Sequence, residues 1–325
     1  MASRAADFLQ CAMTESRRPA VEVTADEFSE LFRRVSSWGH WGDGERGALN
    51  RLVPERVAAA ARLVREGISV TLSLRMNTVA AVDNPVPAVH YMTTEDLGDN
   101  GPGPLRFAKD FVGADYHHDG HTHIDALCHV AYKGFLYNGT PENVVTARGA
   151  TADSIEVLTN GLVGRGVLLD IPRLHGLPWL EPGQHVFRDE LEAAELEQGV
   201  AVGEGDVLLV RTGHSRRLSE LGPWPVEDLK AGLHPTAMPF VAERGVAALG
   251  GDGNSDTAPS STEGVDFPIH VLALNAMGVH LIDYLQLEDL LAACERAGRW
   301  EFFFVAAPLR IAGGTGSPVN PLAIF

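Results

Sequence analysis

Five of the chain's 13 histidines fall within the segment HHDGHTHIDALCH, at positions 117, 118, 121, 123 and 129. That density needs a cause. Imidazole nitrogens and carboxylate oxygens are the donor set of a divalent metal site that keeps positions open for water and substrate. His121, His123 and Asp125 recur every second residue. Alternate residues of a strand share a face, so this spacing predicts two imidazoles and a carboxylate converging on one point. Thr122 and Ile124 then face packing. His129 lies four residues past Asp125. If the chain turns at Ala126-Leu127, His129 hangs over the metal without ligating it, as a general base or acid. Surface or satisfied core histidines would explain any one of these residues alone; the unit H-x-H-x-D-x-x-x-H favours a catalytic metal site over a passive one. Cys128 beside His129 invites a Cys–His nucleophile reading, but adjacent strand residues point apart. Ser260-Ser261 lacks a nucleophile elbow.

The elements that must position this segment read as interleaved strands and helices, hence a mixed α/β class. GVLLDI (166–171) and DVLLVR (206–211) are buried strands, and 246–249, 279–282 and 302–307 are shorter ones. Ser69 to Leu74 alternates as a strand. Helices are predicted over 27–34, 54–66, 188–198, 235–243 and 287–297. Residues 75–115, rich in Pro, Gly, Asp and Asn, read as a long functional loop. Trp38 and Trp41 are expected to pack a Gly-rich turn onto the core. Asp252, in GGDGNSD, reads as a turn residue after a strand that could still support the site. The glycine-rich 313–316 lacks a following lysine and reads as a tight loop beside the site. Two regions are assigned: an N-terminal arm with a short helix over 1–36, and a single domain over 37–325.

Bulk properties exclude several classes. The chain has 325 residues, is 45% hydrophobic and carries a formal charge of −17, which argues against nucleic acid and anionic membrane as partners. Its three cysteines contain no CxxC pair and suit a reducing cytoplasm. The start lacks a signal-peptide core, and no apolar run would span a bilayer.

HTHIDALCH resembles the signature His-x-Gly-Thr-His-x-Asp-x-x-x-His of the metal-dependent cyclase family, which includes bacterial kynurenine formamidase and isatin hydrolase. Trp38-Gly39 with Asn50-Arg51-Leu52, Tyr137-Asn138-Gly139, the block from Gly205 to Gly213 and the tail from Ala307 to Pro318 resemble further blocks of its longer members. The resemblance implies a swivelling β/β/α fold, zinc or manganese, and a homodimer or homotetramer. By position, His123 and Asp125 match the second and third ligands, and His129 the catalytic histidine. The strict pattern puts the first ligand at Asp119, with His121 where Gly is expected. Asp119, His121 and His117 are the alternatives, and the family's nitrogen donor favours His117 or His121. His270, followed by Gly278 and Asp283, resembles the formamidase block that completes a second metal site, with Asp for Glu and one residue more in the spacing. The implied activity is a metal-dependent hydrolase acting on an amide, formamide, imide or lactone of a small aromatic or cyclic molecule. A metal-dependent cyclase or dehydratase of secondary metabolism is the alternative.

Overall fold

The computed structural model describes residues 21–94 and 104–325. Most of the expected N-terminal arm, with Cys11, and the centre of the 75–115 segment fall outside them. Nine strands form one mixed sheet: β1 (Ser69–Thr71), β2 (His123–Asp125), β3 (Leu162–Asp170), β4 (Val207–Arg211), β5 (Ala248–Gly251), β6 (His280–Asp283), β7 (Glu301–Ala306), β8 (Gly316–Pro318) and β9 (Leu322–Ile324). Their spatial order is β1-β9-β7-β3-β4-β5-β6-β2-β8. The run β3-β4-β5-β6 is parallel, and the flanking pairs are antiparallel. The fold is therefore mixed α/β.

Parallel strands covered on both faces must be apolar on both, and the sequence obliges. Val167 and Leu169 of β3 enter one core while Leu168 enters the other. Leu208 and Val210 of β4 likewise oppose Val207 and Leu209. Helices Ala25–Val35, Arg188–Gln198 and Met238–Arg244 cover the first core; Glu288–Ala297, with Phe302 and Phe304 of β7, fills the second. Thr24 and Glu27 form a reciprocal capping box that starts the first of these helices.

Several boundaries depart from the sequence reading. The helix from Pro54 stops at Ala61, because the chain turns so that the amides of Glu66 and Gly67 donate to the carbonyl of Phe325. The segment 235–243 divides into a 3-10 turn, Pro235–Ala237, and the helix Met238–Arg244, whose Pro239 brings no N–H to continue a ladder. The 75–115 loop holds an antiparallel hairpin, Val89–Met92 with Asp110–Gly113. Periodicity gave no sign of the π-helix Val271–Met277, whose residues are all buried.

Polar groups brace the strand ends. The buried guanidinium of Arg211 binds Asp170 at 2.8 Å, Glu288 at 2.8 Å and the carbonyl of Pro178 at 3.0 Å. Asp252 accepts from the amides of Thr212, Gly213 and His214 and from the Thr212 hydroxyl, so it caps the helix His214–Leu221. That gives Asp252 a structural task in place of a simple turn.

Candidate metal centre

Strand β2 lies between β6 and β8, with His123 opposite Asp283 on one side and Asp125 opposite Gly316 on the other. The register sets His123, Asp125 and Asp283 close together. His117 comes from the turn ahead of β2, and His270 from the single helical turn ahead of the π-helix. Nδ1 of His117 is 3.0 Å from Oδ1 of Asp125. Nε2 of His123 is 3.5 Å from the same oxygen and 4.0 Å from Oδ2 of Asp283. Nε2 of His270 is 3.5 Å from Oδ2 of Asp125 and 3.4 Å from Oδ2 of Asp283. The ring of His129 stacks on that of His117 with centroids 3.9 Å apart. Donor atoms of His117, His123 and Asp125 lie within 4.8 Å of one another, as do those of Asp125, His129 and His270.

Neighbours fix which nitrogen of each imidazole faces the cluster. Nδ1 of His123 donates to the carbonyl of His121 at 2.8 Å, which leaves Nε2 as an acceptor. Nδ1 of His270 donates to Asp256 at 2.6 Å, and Asp256 is held by the amides of Ile269 and His270. Nε2 of His117 meets the hydroxyl of Thr315 at 3.0 Å, so Nδ1 points inward. A carboxylate or carbonyl behind a ligating imidazole is the usual way to orient one. His117 can approach because residue 316 is glycine: a Cβ there would lie 2.9 Å from its ring and 2.5 Å from the carbonyl of Ile124.

The carboxylates are short of donors. Both oxygens of Asp125 and Oδ1 of Asp283 are buried without an aligned hydrogen bond, a costly state for an anion unless a cation completes it. Burial opposes the charge on Asp125, but His129 and His123 hold its carboxyl well below the usual range. Burial likewise opposes a charge on His270, yet Asp125, Asp256 and Asp283 raise it well above the usual imidazole range. Burial pushes His129 down to about 4, so it is neutral at physiological pH and able to accept a proton. The donor set suits a divalent cation.

The model of a family described as "Putative cyclase" matches residues 57–256. The chain belongs to this cyclase family. A crystal structure described as a novel cyclase is 33% identical, with TM-score 0.83, over 90% of this chain and 99% of its own. Isatin hydrolase A from Labrenzia aggregata, bound to benzyl benzoate, is 21% identical with TM-score 0.58, over 85% of this chain and 98% of its own. A predicted metal-dependent hydrolase from Bacillus stearothermophilus is 18% identical with TM-score 0.51, over 80% and 98%. None of the curated proteins compared matches the chain.

The structure brings together His117, His123, Asp125, His129, His270 and Asp283. It does not bring in the side chains of His121 or Asp119. Strand β2 begins only at His123, so the alternate-residue rule does not reach His121. Nε2 of His121 faces the carbonyl of Val86 at 3.4 Å, and its contribution to the cluster is its own carbonyl, behind His123. Asp119 accepts from the Tyr284 hydroxyl and lies 3.6 Å from Nζ of Lys230. Asp256 was missed as the partner of His270; an aspartate in a Gly/Asn/Ser loop gives no signal until the fold places it. Cys128 is buried, its thiol pushed up to about 12 by burial, so it stays a thiol. Trp38 donates to the carbonyl of Asn275 at 2.6 Å and meets Phe32 edge-on yet stays 38% exposed; of the two tryptophans expected on the core, Trp41 is the one that packs there.

Proposed function

We propose that the chain is a metal-dependent hydrolase that opens or cleaves an amide, formamide, imide or lactone of a small aromatic or cyclic molecule. The observation that carries this reading is the buried cluster in which four imidazoles converge on carboxylate oxygens that lack hydrogen-bond donors. His117, His123, Asp125 and His270 would hold the cation, with Asp283 completing the set. A bound divalent cation supplies Lewis acidity at a carbonyl oxygen and makes a nearby water easier to deprotonate. His129, neutral and beside Asp125, takes the proton from the attacking water and returns it to the leaving nitrogen or oxygen. Asp256 keeps a proton on Nδ1 of His270, while Nε2, on ligating a cation, gives up the proton that Asp125 and Asp283 favour in its absence. The His117–His129 stack holds the base in place.

Likeness to isatin hydrolase and to a predicted metal-dependent hydrolase supports hydrolysis over the cyclase or dehydratase alternative. The exposed apolar hairpin around Tyr91 and Phe111 supports a homodimer or homotetramer, to be checked by light scattering. The decisive experiment loads the purified protein with zinc or manganese in turn and follows formamides, imides and lactones by mass spectrometry. A product one water heavier than the substrate, formed only with metal, is expected. Metal-dependent loss of water would select the dehydratase.

A further inference from the structure

A buried cation stands one aromatic ring away from the cluster and has no part in the chemistry above. Lys230 is 2% exposed. Its backbone is fixed by reciprocal hydrogen bonds with Ala258, at 3.1 and 3.0 Å. Its ammonium lies 3.6 Å from Oδ1 of Asp119 and 5.8 Å from the centre of the Phe267 ring. Phe267 packs edge-on against His270, with centroids 5.7 Å apart. Asp119 accepts from the Tyr284 hydroxyl, and the Tyr284 ring lies 6.5 Å from that of His123. Lys230 thus adjoins the cluster by two routes, through Phe267 to one imidazole and through Asp119 and Tyr284 to another.

Burying an ammonium is costly unless its charge is paired and its donors are used. One carboxylate oxygen at 3.6 Å is beyond ordinary hydrogen-bond range, and an ammonium has three donors. Lys230 therefore has hydrogen-bonding capacity in hand. Its surroundings are held firmly. Tyr284 sits at φ +53°, a conformation bulky residues rarely adopt. The Tyr284 amide donates to the carbonyl of Gly253 at 2.9 Å, and its carbonyl accepts from the Thr122 hydroxyl. Asp119 also lines a cleft of about 370 Å³ with Leu74, Met76, His214, Leu218 and Val226, a size that accepts a small ring.

We propose that Lys230 is a specificity-determining residue: its ammonium, held by Asp119 at one side chain's remove from the cluster, donates to a second carbonyl oxygen of a cyclic substrate whose first carbonyl is attacked. Because Asp119 already balances the ammonium, a neutral carbonyl suits the position better than a carboxylate, which would set two anions against one cation. The favoured class is a ring with two carbonyls, such as a cyclic imide. This assignment rests on the hydrolytic reading of the cluster, and the test separates the two.

Phthalimide and isoindolin-1-one share a benzo-fused ring and differ by one carbonyl. Their binding is measured by calorimetry, and their ring opening by chromatography, with wild type, Lys230→Met and Lys230→Gln, each shown by thermal melting to be folded. Wild type should bind phthalimide about 10- to 100-fold more tightly than isoindolin-1-one. Lys230→Met should bring that ratio close to one, and Lys230→Gln, which keeps an N–H donor, should fall between. Should Lys230→Met fail to fold, Lys230→Gln carries the comparison. No preference in wild type, an unchanged ratio in the variants, or an equal loss for both compounds overturns the role of Lys230, whatever the turnover. A preference that collapses with Lys230→Met while neither wild type nor variant opens either ring upholds Lys230 as a binding residue and removes cyclic-imide hydrolysis from the reading of the cluster.

Discussion

Two buried aspartates, one ending strand β2 and one beside the turn that follows it, meet opposite electrostatic fates. Asp125 and Asp153 are both at most 1% exposed, and burial opposes ionisation of each. Asp125 is ringed by His117, His123, His129 and His270, and its carboxyl is held well below the usual range. Asp153 sits beside the second core, near Cys128, with the Thr140 hydroxyl as a weak helper and Glu45 adding a like charge. Its carboxyl is pushed up to about 7. Burial alone therefore does not mark a functional carboxylate; what surrounds it does. One aspartate is arranged to stay charged for a cation, and the other is simply an awkward guest in an apolar wall.

The contrast can be broken most severely at Asp125. Asp125→Ala should abolish cation binding and turnover together, as read by metal analysis and by rate. If metal content survived, the cluster would not be organised around Asp125. Next in size, His129→Ala should retain metal but lower kcat by roughly 10²–10⁴-fold; equal loss of metal would turn His129 into a ligand. Asp256→Asn weakens the orientation of His270, and metal affinity measured by competition with a chelator should drop about 10- to 100-fold.

On the other side of the comparison, Asp153→Asn should stabilise the protein. The folded-state carboxyl titrates near 7 and the unfolded one near 3.8. Folding therefore favours the protonated form, and a penalty builds as pH rises from about 4 to about 7 and is complete above that. Asn removes it and suits the positive φ of 56° at this position. A gain on the order of 1–3 kcal/mol is expected at pH 8, shrinking to nothing near pH 4, in urea titrations at each pH. A gain that did not depend on pH would assign the effect to backbone conformation instead. The smallest effect belongs to His121→Ala. Metal content should stay as in wild type, because residue 121 serves the cluster through its carbonyl.

Much of this was legible in the sequence, for identifiable reasons. The runs VLLD and VLLV are apolar without alternation, which only a strand covered on both faces tolerates, and they became the centre of the sheet. His123, Asp125 and His129 sit in one short segment, so local spacing could relate them. His117 and His121 were not separable by spacing, since the choice depends on where β2 starts, and that depends on pairing with β6 and β8. Asp256 and the pairing of Lys230 with Asp119 are contacts between distant segments with no periodic trace.

The π-helix Val271–Met277 sets more than a local coil. His270 precedes it and Asp283 follows it, and Nε2 of the first lies 3.4 Å from Oδ2 of the second. Each residue of a regular helix turns the chain by about 100°, so tightening these widened turns would change the angle at which one group meets the other. The segment thus acts as a phase-setter, fixing in one buried coil how an imidazole from one element is presented to a carboxylate from the next.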